Sequence, residues 1–90
     1  MIRHFACKDT EKLWETEKSR RFTQFARVAL RKLQMLNAAD SLGVLSQVPG
    51  NHFEKLEGDR KGQYSIRIND QFRVCFEFRE HDAFEVEITD

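Results

Sequence analysis

The sequence predicts an α+β fold in which N-terminal helices pack on one face of a small antiparallel sheet. Two periodicities lead to this prediction. Apolar residues recur at helical spacing before residue 40 and alternate with polar residues after residue 50, and the turn at Pro49, Gly50 and Asn51 separates the two regions. The 90 residues suffice for one domain with a modest core, and neither a repeat nor a linker divides them. We therefore expect a single domain over residues 1–90.

The N-terminal half predicts a short strand followed by helices. Residues 2–6 alternate weakly and suit a strand, and Asp9 or Thr10 can cap a helix that runs to about residue 18. The clearest helix is predicted over residues 19–39, because an apolar stripe lies opposite a polar surface there. The stripe comprises Phe22, Phe25, Ala26, Ala29, Leu33 and Leu36, and the polar surface comprises Arg20, Gln24, Arg27, Arg31 and Gln34. Residues 40–43 end this helix and can begin one further helical turn.

The second half predicts four strands. Residues 53–56 are a strand candidate, and residues 57–62, with two glycines, form a turn. In the three segments that follow, apolar and polar residues alternate, which is typical of antiparallel strands with one face on a core. These segments are residues 64–68, 72–78 and 84–88.

The hydrophobic pattern also predicts the register of the central hairpin. With residues 69–71 as the loop, Ile68 lies opposite Phe72 and Ile66 opposite Val74, all on the core face. A shift by one residue would mix the two faces. In the last hairpin the predicted pairs are Phe78 with Phe84 and Val74 with Ile88.

The central register places Arg67 directly opposite Arg73 on the other face of the hairpin. Like charges in this position destabilise a strand pair, so a compensating group is expected. One candidate is an anion such as a phosphate, for which paired guanidinium groups are well suited. The other is an internal ion pair with Glu85 or Glu87 from the last strand. The spacing leaves both open.

Composition excludes several classes of protein. Charged residues are 33% and hydrophobic residues 40%, as in ordinary globular chains. No apolar run approaches a membrane span, and the N-terminus turns charged too soon for a secretory signal, so we expect a cytoplasmic location. Cys7 and Cys75 form neither a disulfide framework nor a zinc pattern, so we expect two reduced and mostly buried thiols that serve packing. We also expect no cofactor. The net charge is zero, but the first half is basic and residues 77–90 are acidic.

Much of the chain resembles a known family. The run PGNHFEKLEGDRKGQYSIRINDQFRVCFEF, preceded by ALRKLQMLNAADSLGVL and MIRHFACKDTEKLW, resembles HigB-type toxins of the RelE superfamily, the plasmid maintenance killer toxins of bacterial toxin–antitoxin modules. The similarity is densest over residues 50–76. It implies a RelE-like fold and a metal-independent mRNA endonuclease that acts in the ribosome and inhibits translation. It also implies a HigA-type helix-turn-helix antitoxin as partner, and contact with operator DNA only through the toxin–antitoxin complex.

The resemblance gives roles to particular residues. Metal-free RNA cleavage needs a group that accepts the 2′-OH proton, a group that protonates the leaving oxygen, and cations at the phosphate. Arg73 matches the family's phosphate-binding arginine, and Arg67 and Arg60 belong to the same signature. His52 or Glu54 can transfer protons, although an exposed loop histidine and a structural ion pair of Glu54 with an arginine are the alternatives. Further candidate RNA contacts, or simply solvated charges, are Lys55, Lys61, Arg20, Arg27 and Arg31.

The chain departs from the family pattern at three places. Family members usually end with Asp-Tyr-His, of which this sequence contains only Asp90, so we expect Asp90 near the site and reduced activity in this 90-residue form. Glu57 stands where relatives commonly have lysine, and Glu54 where some have histidine. These departures keep two other functions open: a non-enzymatic, ParE-like toxin that binds DNA gyrase, and an inert module that only binds an antitoxin.

Overall fold

Three helices precede four strands along the chain, and the computed structural model describes all residues from 1 to 90. The strands form one sheet in the order β1-β2-β3-β4, and each neighbouring pair is antiparallel. This architecture confirms the predicted α+β fold. The elements are α1 (Lys8–Thr16), α2 (Ala26–Ala38), α3 (Leu42–Ser46), β1 (Glu54–Lys55), β2 (Tyr64–Arg67), β3 (Arg73–Arg79) and β4 (Asp82–Thr89).

The core lies between the helices and one face of the sheet. Leu33 and Leu36 of α2 are fully buried and belong to one hydrophobic cluster with Ile66 of β2, Val74 of β3 and Ile88 of β4. Removing each such side chain from water contributes about 1.5–3 kcal/mol to folding. The helical period of α2 and the alternation of the strands therefore meet in one core. None of the helices has the length and apolar character needed to cross a membrane.

The start of α1 differs from the prediction, because neither Asp9 nor Thr10 caps it. Cys7 occupies the cap position without a side-chain hydrogen bond. Thr10 is instead fully buried inside the helix, and its Oγ1 accepts a hydrogen bond from the backbone N–H of Ile88 at 3.0 Å. The threonine hydroxyl thus joins α1 to β4. The helix ends at Thr16, before Glu17, which has a left-handed φ of 62°.

The predicted helix over residues 19–39 is correct only from Ala26 onward. Residues before it form a loop and a 3₁₀ turn, Thr23–Phe25. Ser19 Oγ accepts a hydrogen bond from the N–H of Phe22 at 2.9 Å, and Thr23 Oγ1 donates to the carbonyl of Ser19 at 2.5 Å. Such hydroxyl groups compete with the helical ladder for backbone partners. The apolar stripe is nevertheless buried at four of its six positions and half-buried at Phe25 and Ala26, and the predicted polar surface is exposed.

Residues 2–6 do not form the full strand that was predicted. Ile2 and Phe5 make isolated parallel bridges to Ala83 and Val86 of β4. Between these two contacts Glu85 has a φ of 52°, which bends β4 out of regular strand geometry. A continuous ladder with the N-terminal segment is therefore interrupted.

The central hairpin has the predicted register. Ile66 pairs with Val74 and Arg67 with Arg73, and the N–H of Ile68 donates to the carbonyl of Phe72 at 2.9 Å. The hydrophobic pattern was sufficient here because a one-residue slip would expose the core side chains.

The last hairpin follows the predicted register only at one end. Val74 pairs with Ile88 as expected, but Phe78 pairs with Ala83 rather than with Phe84. The left-handed Glu85 supplies one extra residue in β4, so the register shifts between Cys75 and Glu77. In addition, β1 is shorter than the predicted residues 53–56.

Candidate functional site

The sheet face opposite the core carries polar side chains, and we call it the polar face. Pairing places Ser65 beside Glu54 and Cys75, Arg67 beside Arg73, and Cys75 beside Glu87. Side chains alternate along a strand, so all of these residues lie on the side opposite Ile66 and Val74. The polar face therefore consists of Glu54, Ser65, Arg67, Arg73, Cys75 and Glu87.

Arg73 is oriented by two neighbours on adjacent strands. Its Nη1 donates a hydrogen bond to Ser65 Oγ at 2.7 Å and lies 3.4 Å from Glu54 Oε2. Ser65 is fully buried, so its hydroxyl is a well-defined acceptor for the guanidinium group. The ion pair with Glu54 confirms one of the two interpretations given to this carboxylate by the sequence.

Arg67 is held by a different set of residues, at the end of β2. Its Nη2 pairs with the carboxylate of Asp70, and its Nε donates to the carbonyl of Asn69 at 3.1 Å. Its Nη1 lies 3.5 Å from Nε2 of His52. The guanidinium groups of Arg67 and Arg73 therefore have separate partners although their Cα atoms are paired.

Internal ion pairs thus compensate the facing arginines, but Glu85 and Glu87, the partners predicted from the last strand, do not form them. Glu87 pairs with Arg60, with 2.9 Å between Oε1 and Nη1, and Glu85 lies 3.5 Å from His4. The reason is the bulge in β4, which removes Glu85 from the regular alternation, and the approach of Arg60 from the turn after β1.

The carboxylates on Arg67 and Arg73 are weakly held. The side chain of Asp70 is 99% exposed and that of Glu54 is 55% exposed, whereas the two arginine side chains are about one-third exposed. Ion pairs in such surroundings stabilise a protein by about 0–1 kcal/mol. An incoming phosphate can therefore replace either carboxylate at little cost, so internal pairing and phosphate binding are compatible.

Arg60 covers the centre of the polar face. Its Nη1 donates to Glu87 Oε1 and to Gln63 Oε1, both at 2.9 Å. Beneath this layer Cys75 is almost fully buried, and burial raises the pKa of its thiol above the ordinary 9.0, against the opposing effects of Arg60 and Arg73. A thiol that resists ionisation is a poor nucleophile, so Cys75 is a packing residue, as expected.

His52 is presented by a turn that is anchored in the protein interior. The 3₁₀ turn Pro49–Asn51 leads into His52, which has a left-handed φ of 41°. Asn51 is fully buried. Its Nδ2 donates to the carbonyl of Leu45 at 3.0 Å, and its Oδ1 accepts from Lys32 Nζ at 2.6 Å. Burial, followed by the charges of Arg31 and Arg67, lowers the pKa of Lys32.

Sequence reasoning missed this anchor. Asn51 has the appearance of an ordinary turn residue, and Lys32 that of one more cation on a basic helix. No local pattern indicates that the two side chains meet, because they are 19 positions apart in the chain.

The other predicted residues are spread over the surface. Lys55, Lys61 and Asp90 are exposed, and Asp90 follows Thr89, the β4 partner of Arg73. Arg27 and Arg31 lie on the exposed side of α2, whose other side packs on the sheet. The charge of Arg31 nevertheless acts on Lys32 together with the charge of Arg67, a residue of the polar face. Arg20 lies exposed in the loop before α2.

The polar face thus brings together groups that can bind an anion and exchange protons. His52 lies beside Arg67, and Glu54 beside Arg73. Guanidinium groups bind phosphate oxygens through paired hydrogen bonds, and imidazole and carboxylate groups are common general acids and bases. No group of three or more His, Cys, Asp or Glu side chains is arranged to hold a metal ion.

Comparison with known sequences gives a family match over nearly the whole chain. Residues 3–89 match the model of the HigB-like toxin family, described as the RelE-like toxin of the type II toxin–antitoxin system HigB. The chain is 39% identical over 80 residues to Toxin HigB-1 of Vibrio cholerae, covering 87% of this chain and 84% of that protein. It is also 36% identical over 57 residues to an uncharacterised protein of Haemophilus influenzae, covering 63% of this chain and 56% of that protein.

Comparison with solved structures shows a similar fold. One match is to a chain of the YoeB–YefM complex from Staphylococcus aureus, with a TM-score of 0.60, and it covers 100% of this chain and 97% of that chain. The sequence identity is 18%, so the likeness concerns the arrangement of helices and strands alone.

Proposed function

The chain belongs to the HigB-like family, the RelE-like toxins of type II toxin–antitoxin systems, and from this premise we propose that it is a ribosome-dependent mRNA endonuclease that inhibits translation. As a toxin of such a system it has an antitoxin as its partner. The observation that carries the proposed activity is the position of Arg73. Its guanidinium group is oriented by buried Ser65 and neutralised only by an exposed carboxylate.

The polar face supplies the groups that the reaction requires. In metal-independent cleavage the ribose 2′-oxygen attacks the phosphorus, a base accepts the 2′-OH proton, and an acid protonates the leaving 5′-oxygen. We assign the phosphate to Arg73, with Arg67 and Arg60 as further cations, since charge develops on the phosphate oxygens in the transition state. His52 and Glu54 are the proton-transfer groups beside these arginines, and Asp90 is a further candidate near Arg73.

The resemblance supports finer statements about partners and place. We propose that the antitoxin is a HigA-type helix-turn-helix protein, that the substrate is mRNA on the 70S ribosome, and that operator DNA is contacted only through the toxin–antitoxin complex. A cytoplasmic location follows from this proposal. Lys55 and Lys61, exposed near the polar face, are proposed to contact RNA phosphates.

Primer extension on mRNA in a translating extract tests the proposal. The wild-type chain, an Arg73→Ala variant and an Arg79→Ala control are compared; both arginines lie on β3, at its two ends. We expect codon-aligned cuts with wild type and control, and none with Arg73→Ala.

Two results would overturn the endonuclease proposal. The first is an absence of cuts in every preparation together with inhibition of DNA gyrase supercoiling, which would support a ParE-like toxin. The second is full cleavage by Arg73→Ala, which would remove the phosphate role from the polar face.

A further inference from the structure

Two adjoining hollows lie outside the polar face, on the loop between α1 and α2. The first has a volume of about 380 Å³ and is lined only by polar residues, namely Lys12, Thr16, Lys18, Ser19, Arg20 and Thr23. The second has a volume of about 500 Å³ and lies between this loop and the loop after β2. Both are lined by Arg20 and Thr23. We call the pair of hollows the Arg20 cleft.

The charge of the Arg20 cleft is unbalanced. Lys12, Lys18 and Arg20 form no ion pair, and no Asp or Glu lines either hollow. In a chain with zero net charge, this is a local concentration of uncompensated positive charge. Cationic side chains gathered in a concave surface attract anions, because the surrounding protein focuses their field.

Hydroxyl groups hold the backbone of the loop through hydrogen bonds, so the cationic side chains are not needed to hold it. Thr16 Oγ1 donates to the carbonyl of Lys12 at 2.8 Å and accepts from the N–H of Lys18 at 3.2 Å. Ser19 and Thr23 make the corresponding bonds further along the loop. The shape of the first hollow is therefore set without any salt bridge that a ligand would have to break.

The second hollow adds aromatic surface, which lies on the core side of the sheet and not on the polar face. Phe25 and Phe72 line it, with their rings stacked at a centroid distance of 4.6 Å, and both are half-buried. Phe72 immediately precedes Arg73 in the chain. Aromatic side chains beside cations are the arrangement by which proteins hold single-stranded nucleic acids, with bases on the rings and phosphates on the cations. Arg21, which also lines this hollow, pairs with Asp9 at 3.3 Å and packs on Phe22.

We propose that the Arg20 cleft is a second RNA-binding site, which holds backbone phosphates of RNA through Lys12, Lys18 and Arg20 while the polar face holds the phosphate that is cleaved. This inference rests on the proposed function, since it extends the same RNA-binding surface. The phosphates can belong to the mRNA that passes Arg73 or to ribosomal RNA around it. The chemistry recognised is the same.

The test measures binding without cleavage. The fluorescently labelled protein is titrated with a single-stranded RNA that carries 2′-O-methyl riboses, which cannot supply the attacking hydroxyl, and separately with small ribosomal subunits free of mRNA. The variants are Arg20→Ala, Arg20→Lys and the control Arg79→Ala, which removes the same charge at the far end of β3. Circular dichroism checks that each variant is folded.

We expect Arg20→Ala to weaken binding to at least one of the two probes, the RNA or the ribosomal subunit, by roughly tenfold, because a charged hydrogen bond is lost. The slope of the logarithm of affinity against the logarithm of salt concentration should fall by about 0.7 for single-stranded RNA. Arg20→Lys should retain the slope, because it retains the charge. Loss in the single-strand arm assigns the phosphates to mRNA, and loss only with subunits assigns them to ribosomal RNA.

Two outcomes would overturn the inference. One is that Arg20→Ala binds both probes as Arg79→Ala does. The other is that Arg20→Ala loses only its affinity for the antitoxin, which would make the cleft a protein contact. Cleavage assays keep the two proposals apart. If the wild type cuts mRNA and Arg20→Ala binds RNA normally, only the proposal for the cleft is rejected. If Arg20→Ala weakens RNA binding but the wild type does not cut mRNA, only the endonuclease proposal is rejected.

Discussion

The polar face and the Arg20 cleft both concentrate cationic side chains, but they hold them in different ways. On the polar face each arginine has a carboxylate partner and hydrogen bonds that orient its guanidinium group, as with Arg73, Ser65 and Glu54. In the cleft Lys12, Lys18 and Arg20 have no such partners. Orientation matters for stabilising a transition state, whereas charge alone is enough for holding a polyanion. The difference therefore supports the proposals that the first region catalyses cleavage and that the second contributes affinity for RNA.

Exchanging arginine for lysine in each region gives the largest expected effect. Arg73→Lys keeps the charge but loses the planar fork that binds phosphate and Ser65, so we expect single-turnover cleavage on programmed ribosomes to slow by about 10²-fold or more. Arg20→Lys should leave that rate within about twofold, since it retains the charge that the cleft provides. Equal losses of cleavage rate in the two variants would show that the two regions do not differ in their need for an oriented guanidinium group.

The second prediction concerns the anchor of the polar face. Asn51→Ala removes a fully buried side chain that bonds Lys32 and Leu45, so the half-buried Lys32 ammonium loses its acceptor and the Leu45 carbonyl keeps only the N–H of Val48, at 3.4 Å. We expect the free energy of unfolding to fall by about 2–3 kcal/mol in urea denaturation. The matched control is Gln34→Ala on the exposed side of α2, which should change it by less than about 0.5 kcal/mol. A similar result for both variants would mean that the turn before His52 needs no interior anchor.

The two cysteines report on the two regions separately. Cys75 lies under the polar face, whereas Cys7 is half-buried and its Sγ lies 3.9 Å from Arg21 at the edge of the cleft. We expect a thiol reagent to modify Cys7 in the folded protein while Cys75 is protected. Single Cys7→Ala and Cys75→Ala variants identify which thiol reacts.

Titration of the Cys75 thiol makes the free energy of unfolding depend on pH. Burial raises the pKa of the thiol in the folded state, so the folded protein binds this proton more tightly than the unfolded chain. The corresponding stabilisation is complete below the ordinary pKa of 9.0 and is lost as the pH rises through the higher folded value. The wild type should therefore lose stability relative to Cys75→Ala above pH 9.0. A constant difference between the two across this range would contradict the assignment.

The smallest expected effect is that of Glu54→Gln on stability. The ion pair with Arg73 is exposed, so we expect the free energy of unfolding to change by less than about 0.5 kcal/mol, as for Asp70→Asn at the equivalent pair with Arg67. Cleavage separates the two variants. A loss with Glu54→Gln that Asp70→Asn lacks would support proton transfer by Glu54, and equal cleavage would leave His52 as the principal proton-transfer group.

The parts of the fold that could be predicted are those in which buried apolar residues recur at a regular spacing along a short segment. Leu33 and Leu36 recur at helical spacing, and Ile66 and Val74 lie on one side of alternating strands, so their faces follow from the period alone. The facing positions of Arg67 and Arg73 follow from the same alternation, because only one register buries the apolar set. The core residues Ile66 and Val74 are not part of the candidate site, but their burial fixes the register that places the site residues on the opposite face.

The parts that could not be predicted depend on single hydrogen bonds or single backbone conformations. Ser19 and Thr23 delay the start of α2 through hydroxyl bonds that an apolar stripe does not reveal. Glu85 adopts a positive φ that shifts one hairpin, and glutamate carries no local signal for it. The choice of partners for the facing arginines also required the structure. The sequence left an ion pair of Glu54 with an arginine open, and only the structure shows that it is formed with Arg73 while Arg67 pairs with Asp70.

The amino-acid sequence alone was enough to establish the α+β class, the core faces, the central register and the resemblance to the HigB-type toxins. Each of these follows either from a local periodicity of apolar residues or from a contiguous run of residues. Only the folded chain shows that Asn51 bonds Lys32, that the facing arginines point to separate carboxylates, and that Lys12 and Phe72 line adjoining hollows around Arg20. Except for the pair of Arg67 with Asp70, three positions away, these contacts join residues far apart in the chain. The packing of the helices on the sheet and the pairing of the strands decide their geometry, which no single segment determines.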